Sequence, residues 1–286
     1  MPHPHKAPRL FFMRKDDARL SLARIRAMAW TDLGAQFCFV LGYGVLFGLA
    51  FVPPAPVGKP FYRMMASTAA LSLAVGALLP PLANALPWGD PCVLLGWLSV
   101  AGALSCARQA RGISWHLGLG VSLAAAGTAT ALILERGLGL GLFGLPTLSA
   151  LATGTVAGSV GLAMVLGHWY LTVPKLDVAH LVRLNKVCVW VMIVTCFLVF
   201  ATCVVNKAEL ELADARPLFG PWGMFFLGTR LAVGLLLPLL FAYMAQGSLR
   251  LGNTRSATGI LYASTVLVLI GAAISISLQD TYGFPL

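Results

Sequence analysis

Arg230 stands nine residues after Pro221 in a stretch, Pro-Trp-Gly-Met-Phe-Phe-Leu-Gly-Thr-Arg, that carries no other charge. At 1.5 Å per helical residue it lies about 13 Å below the start of that segment. A cation at such depth in an apolar run requires an anion, a polar ligand or water beside it. The alternative is an arginine that caps a broken helix or snorkels back to the surface. His116 and His168 each sit a few residues from the end of an apolar segment, and His180 follows in a basic loop. A neutral imidazole near a membrane surface can donate to a quinone oxygen or ligate the iron of haem b. Gly118, Gly120 and Gly167 would leave space beside such a ring. Trp115, Trp169 and Tyr170 flank the same histidines, which is also the composition of an aromatic anchoring belt. The candidate ligand or quinone-binding set is therefore His116, His168, Trp169, Tyr170 and Arg230, with His116 and His168 as metal ligands if haem is bound.

Other chemistry has little to stand on. The six cysteines (Cys38, Cys92, Cys106, Cys188, Cys196, Cys203) fall in or at the ends of apolar runs, with no CxxC and no Cys-His pair at metal spacing. They are expected to be buried thiols, and Cys188, Cys196 and Cys203 share one helical face. There are no paired carboxylates inside apolar segments, no HExxH, no glycine-rich phosphate loop and no Ser-His-Asp order. Proton-coupled carriers and membrane hydrolases ordinarily need such groups. No catalytic residue is assigned, and the chain is expected to have little activity alone.

The elements that must position these residues follow from composition. Of 286 residues, 58% are hydrophobic and 10% charged, where a water-soluble surface needs roughly 25% charged. The mean hydropathy of +0.84 is spread along the sequence, so the chain reads as an all-α integral membrane protein. A helix needs about 20 apolar residues to cross the hydrocarbon, and eight stretches qualify: 33–53, 64–86, 92–107, 115–134, 146–173, 187–205, 221–246 and 257–278. The third is the shortest. Residues 31–286 thus form one transmembrane helical domain with short connections rich in proline and glycine. The stretch GLGLGLFGL at 137–145 reads as a connector or as a re-entrant segment. Gly44-Val-Leu-Phe-Gly48 and Gly154-Thr-Val-Ala-Gly158 are GxxxG sequences that let backbones approach closely, with a partner that is either another span or another chain.

Charge sets the ends and the sidedness. The net charge of +10 is concentrated in residues 1–30, where Lys6, Arg9, Arg14, Lys15, Arg19, Arg24 and Arg26 face only Asp16 and Asp17. This basic surface tail suits anionic lipid or a partner subunit rather than nucleic acid. No cleavable leader is expected, because the first apolar run begins after Trp30. Nine bases lie in the connections after spans one, three, five and seven, and three in those after spans two, four and six. The loops therefore place the odd connections in the cytoplasm and both termini outside, while the tail argues the opposite. Four independent connections outweigh one segment.

The last third, from Trp222 through Arg230, Gly234 and Pro238 to the final span at Tyr262, resembles the membrane anchors of molybdopterin and hydrogenase-type complexes, the polysulfide reductase (NrfD) and dimethyl sulfoxide reductase anchor group. The likeness lies in arrangement: about eight spans, short loops, both ends outside and no soluble domain. It implies electron exchange with a quinone and an iron-sulfur partner docked on the membrane surface. Where that group often has an acidic residue after the glycine of its last span, this chain has Gly271-Ala272. The expectation is a multi-pass subunit of a respiratory or electron-transfer complex, located in a bacterial inner membrane and contacting the bilayer, other subunits and a quinone. A small-molecule transporter and a structural scaffold are the alternatives.

Overall fold

Proline and short polar caps set where the helices begin. A computed structural model of the chain describes residues 30–53, 57–109, 112–139, 144–173, 176–211 and 217–286. Residues 1–29 of the basic tail lie outside the described residues, as do Arg111 and the middle of the glycine-rich stretch, at 140–143. The helices are α1 (Trp30–Leu49), α2 (Lys59–Leu82), α3 (Pro91–Arg108), α4 (Ile113–Leu138), α5 (Leu145–Thr172), α6 (Ala179–Val205), the short α7 (Lys207–Glu211), α8 (Pro221–Arg250) and α9 (Thr254–Tyr282). Prolines occupy the first helical turn of α2, α3, α5 and α8, where a missing N–H costs nothing. Asp90 caps α3 by accepting from the Cys92 amide at 2.8 Å, and Asn253 caps α9 by accepting from Ser256 at 3.0 Å. Gly139 and Gly283, at φ 65 and 77, end α4 and α9 in the left-handed conformation that glycine adopts without strain.

All eight long helices are apolar enough to cross a membrane, and no strand occurs among the described residues. The chain is an all-α, multi-pass membrane protein. Several spans run further than hydropathy marked them: α2 begins at Lys59 rather than 64, α4 covers Ile113–Leu138 rather than 115–134, and α9 covers Thr254–Tyr282 rather than 257–278. α6 begins at Ala179 rather than 187, and α8 continues to Arg250 rather than 246. Arg183, Lys186 and Arg250 interrupt the apolar count but not the helix, because long cationic side chains reach the surface from inside a helical turn.

The helices divide around α5. α1 to α4 pack in sequence, with α4 returning to α1, while α5 touches α1, α6 and α9, and α8 packs against α9 and α6. Of the most apolar stretch of α5, 78% is buried, against 28% for α6 and for α8. α5 is therefore the shared centre, and α6 and α8 form a rim that suits lipid. The partner of the first GxxxG sequence is the second. A Cβ on Gly44 would run into the carbonyl of Gly154, and one on Gly158 into Val45 and Gly44. A second close crossing joins α8 to α9, where a Cβ on Gly234 would lie 2.7 Å from the Cα of Gly271. Just there α8 widens into a π-type turn at Ala232–Leu236. Pro238 lacks the N–H that would bond the Gly234 carbonyl, which accounts for the irregular turn.

Alternating spans fix which connections share a surface. The near face, where α1 begins, holds Asp90 and Phe219; the far face holds Lys59 and Arg255. In a cysteine-free background, single cysteines at Lys59 and Arg255 are expected to react with an impermeant thiol reagent from one side of the membrane, and cysteines at Asp90 and Phe219 from the other. Labelling of Lys59→Cys and Asp90→Cys from the same side would remove α2 as a span.

Candidate functional site

Arg230 is the tenth residue of α8, and only 1% of it is exposed. It does not snorkel. Its Nη2 donates to the Thr153 hydroxyl of α5 at 2.8 Å, and its Nε donates to the main-chain oxygen of Leu286 at 3.1 Å. The latter contact exists because the chain turns at Gly283 and folds back, burying Phe284 and Leu286. Nη1 lies 3.1 Å from where a Cβ would stand on either Gly234 or Gly271. The two glycines thus let the helices meet and leave room for the guanidinium between them. Among the described residues no Asp or Glu side chain is paired with Arg230; Asp90 pairs instead with Arg136, 2.8 Å away at the near face.

Beside Arg230 lies a feature that a search for ionisable groups passes over. Gln36 of α1 and Gln279 of α9, both buried, exchange two hydrogen bonds of 2.7 Å, each amide donating to the other's carbonyl oxygen. They border a small cavity of about 20 Å³ between α1, α5 and α9, whose wall also includes Thr153, Ser275 and Pro285. The unfilled space suits a water or two rather than a ring. Thr153 therefore belongs both to this cavity and to the Arg230 contact. The available signal was two amides, Gln36 inside an apolar span and Gln279 one residue past the end of another, where a polar side chain needs a partner.

The histidines occupy the opposite half of the molecule. His116 is exposed on the first turn of α4, its Nδ1 3.0 Å from the Gly112 carbonyl and its ring 4.8 Å from that of Trp115. His168 is exposed near the end of α5, its Nδ1 3.4 Å from the hydroxyl of Tyr262 on α9. Both stand at the far face, and each meets a different neighbour. Trp169 turns inward, donating to the Val57 carbonyl at 3.2 Å and packing on Phe61, and Tyr170 donates to the Asp177 carbonyl. These two side chains brace the loops at α2 and α6. Tyr262 is the residue that the sequence did not join to His168, since 94 positions separate them.

No group of three metal-ligating side chains occurs among the described residues. The cysteines are free thiols. Cys92 and Cys106 direct their sulfurs to the carbonyls of Ala129 and Trp115, both at 3.6 Å, and so join neighbouring helices of the first half. Compared with protein-family models, curated proteins and solved structures, the chain matches none.

The amide pair makes a direct stability prediction. Gln36→Leu removes both hydrogen bonds that the Gln279 amide exchanges with Gln36 and is expected to cost about 1–2 kcal/mol. The double replacement Gln36→Leu/Gln279→Leu is expected to recover most of that loss. Reversible unfolding in mixed micelles checks it; additive losses in the double variant would show that the two amides do not act as a pair.

Proposed function

We propose that the chain is a membrane subunit of a respiratory or electron-transfer complex that contacts a quinone through His168. The observation that supports this reading is the His168–Tyr262 pair, an imidazole and a phenol side by side on the outer surface of the α5–α9 crossing, with Tyr262 45% exposed. Both groups can donate a hydrogen bond, and both face the medium through which a quinone diffuses. A quinone carbonyl seated against them would gain negative charge on reduction, which their hydrogens would stabilise. Haem b would use the same imidazole through Nε2, as a ligand rather than a donor. The redox centres that exchange electrons with the quinone are assigned to partner subunits. The basic far-face connections offer a docking surface for them, in keeping with a bacterial inner-membrane complex.

His116 fits this reading less closely, because its Nδ1 is satisfied by its own helix, and it is assigned to the interfacial belt. Trp169 and Tyr170 position the far-face loops around His168.

Replacing His168 by Leu or Tyr262 by Phe is expected to leave the complex assembled and to lower quinone-dependent electron transfer in membranes at least about tenfold, while His116→Leu has a smaller effect. Wild-type quinone turnover in both His168→Leu and Tyr262→Phe would overturn the assignment. Co-purification with a visible spectrum separates the alternatives: redox-active partners accompany an electron-transfer subunit, whereas substrate flux in liposomes without them identifies a transporter.

A further inference from the structure

We propose that Arg230 is the binding site for the carboxylate of an acidic ligand, and that the chain's own segment 283–286 occupies this site in the structure described here. The Nε and Nη2 hydrogens lie along one edge of the guanidinium, the edge that grips a carboxylate through two parallel hydrogen bonds. Here that edge is divided between two unconnected elements: Nε bonds to the main-chain oxygen of Leu286 and Nη2 to the hydroxyl of Thr153. Two oxygens brought from different parts of the fold thus stand in for the two oxygens of one ligand group. No Asp or Glu side chain among the described residues competes for it, although Arg230 is fully enclosed.

The surroundings say how a ligand reaches it. Pro285 forms part of the wall of the cavity between α1, α5 and α9, and Thr153 lines the same cavity. The segment is a short strap after the turn at Gly283, with Phe284 and Leu286 buried against the helices. Lifting Pro285 and Leu286 joins the cavity to the guanidinium edge. The existing space suits only a water or two, so the ligand and the strap exclude each other. Gln36, Ser275 and Gln279 add polar groups at the wall, Val40, Leu41 and Ile276 are among its apolar members, and Arg230 lies about 13 Å below the near end of α8. The chemistry that matches is a carboxylate, carried either by an acyl chain entering from the membrane or by a small acid entering from water. This site is on the opposite half of the molecule from His168 and does not depend on the quinone reading.

Two probes test it on purified full-length protein in lipid nanodiscs: cis-parinarate, a fluorescent fatty acid, with its methyl ester as the control that lacks the charge, and radiolabelled acetate. The acid is expected to bind and the ester to bind at least about tenfold more weakly. Removal of residues 284–286 is expected to tighten acid binding about tenfold or more, Thr153→Val to weaken it several-fold, and Arg230→Gln to abolish it. Acetate binding with the same dependence on Arg230 supports a water-borne acid, and parinarate binding alone supports a lipid one. Binding of neither probe, equal binding of acid and ester, or binding that survives Arg230→Gln overturns the proposal. If Arg230→Gln does not fold, the truncated and Thr153→Val proteins decide, and unchanged affinity in both overturns it.

Discussion

The contact on which the rest of the structure depends is the crossing of α1 and α5, where Gly44, Gly154 and Gly158 bring two backbones together without side chains between them. Water does not drive one membrane helix onto another, so association rests on close packing and hydrogen bonds. Glycine at these positions supplies the packing. α1 brings with it α2 and α4, and α5 brings α6 and α9, so this crossing joins the two halves of the bundle. It also puts Gln36 and Thr153 on the wall of one cavity. A larger residue at Gly154 would separate the halves and remove that wall.

The second crossing, Gly234 on Gly271, does a different task. It brings α8 against α9 at the point where Arg230 must be enclosed, and the absence of two side chains is what admits the guanidinium. The π-type turn at Ala232–Leu236 follows within two residues of Arg230. A buried charge and an irregular backbone at the same level of one helix are both costly in a membrane, and they persist when neighbouring elements supply the missing polar partners. Thr153 and the fold-back at Leu286 are those partners. Polar groups therefore divide by depth and side, with Arg230, Gln36 and Gln279 toward the near face, and His116, His168 and Tyr262 toward the far one.

Local features were readable in the sequence, and contacts between distant positions were not. The eight spans followed from charge-free length, the close approaches from the GxxxG spacing, and the depth of Arg230 from its distance to Pro221. The helix ends at Ala179 and Arg250 were missed because hydropathy counts charge as a boundary, whereas a helix does not. Gln36 and Gln279 are 243 positions apart, and nothing in either neighbourhood names the other. The same is true of His168 with Tyr262. The return of 283–286 to Arg230 had no signal beyond Gly283 itself, since a left-handed glycine announces that a helix stops but not where the chain goes next.

The role of the α1–α5 crossing is tested most directly by comparing Gly154→Val with Gly161→Val, two substitutions in the same helix seven residues apart. A Cβ at Gly154 meets the backbone and side chain of Val40, while one at Gly161 meets nothing within 4 Å. Cys92, Cys106 and Cys188 are buried free thiols, so a thiol-reactive dye reports thermal unfolding without further labelling. Gly154→Val is expected to lower the unfolding midpoint by about 5–10 °C while Gly161→Val stays near the wild type. Equal midpoints for the two variants would contradict the account, because they would mean that the close approach of α1 and α5 does not hold the bundle together.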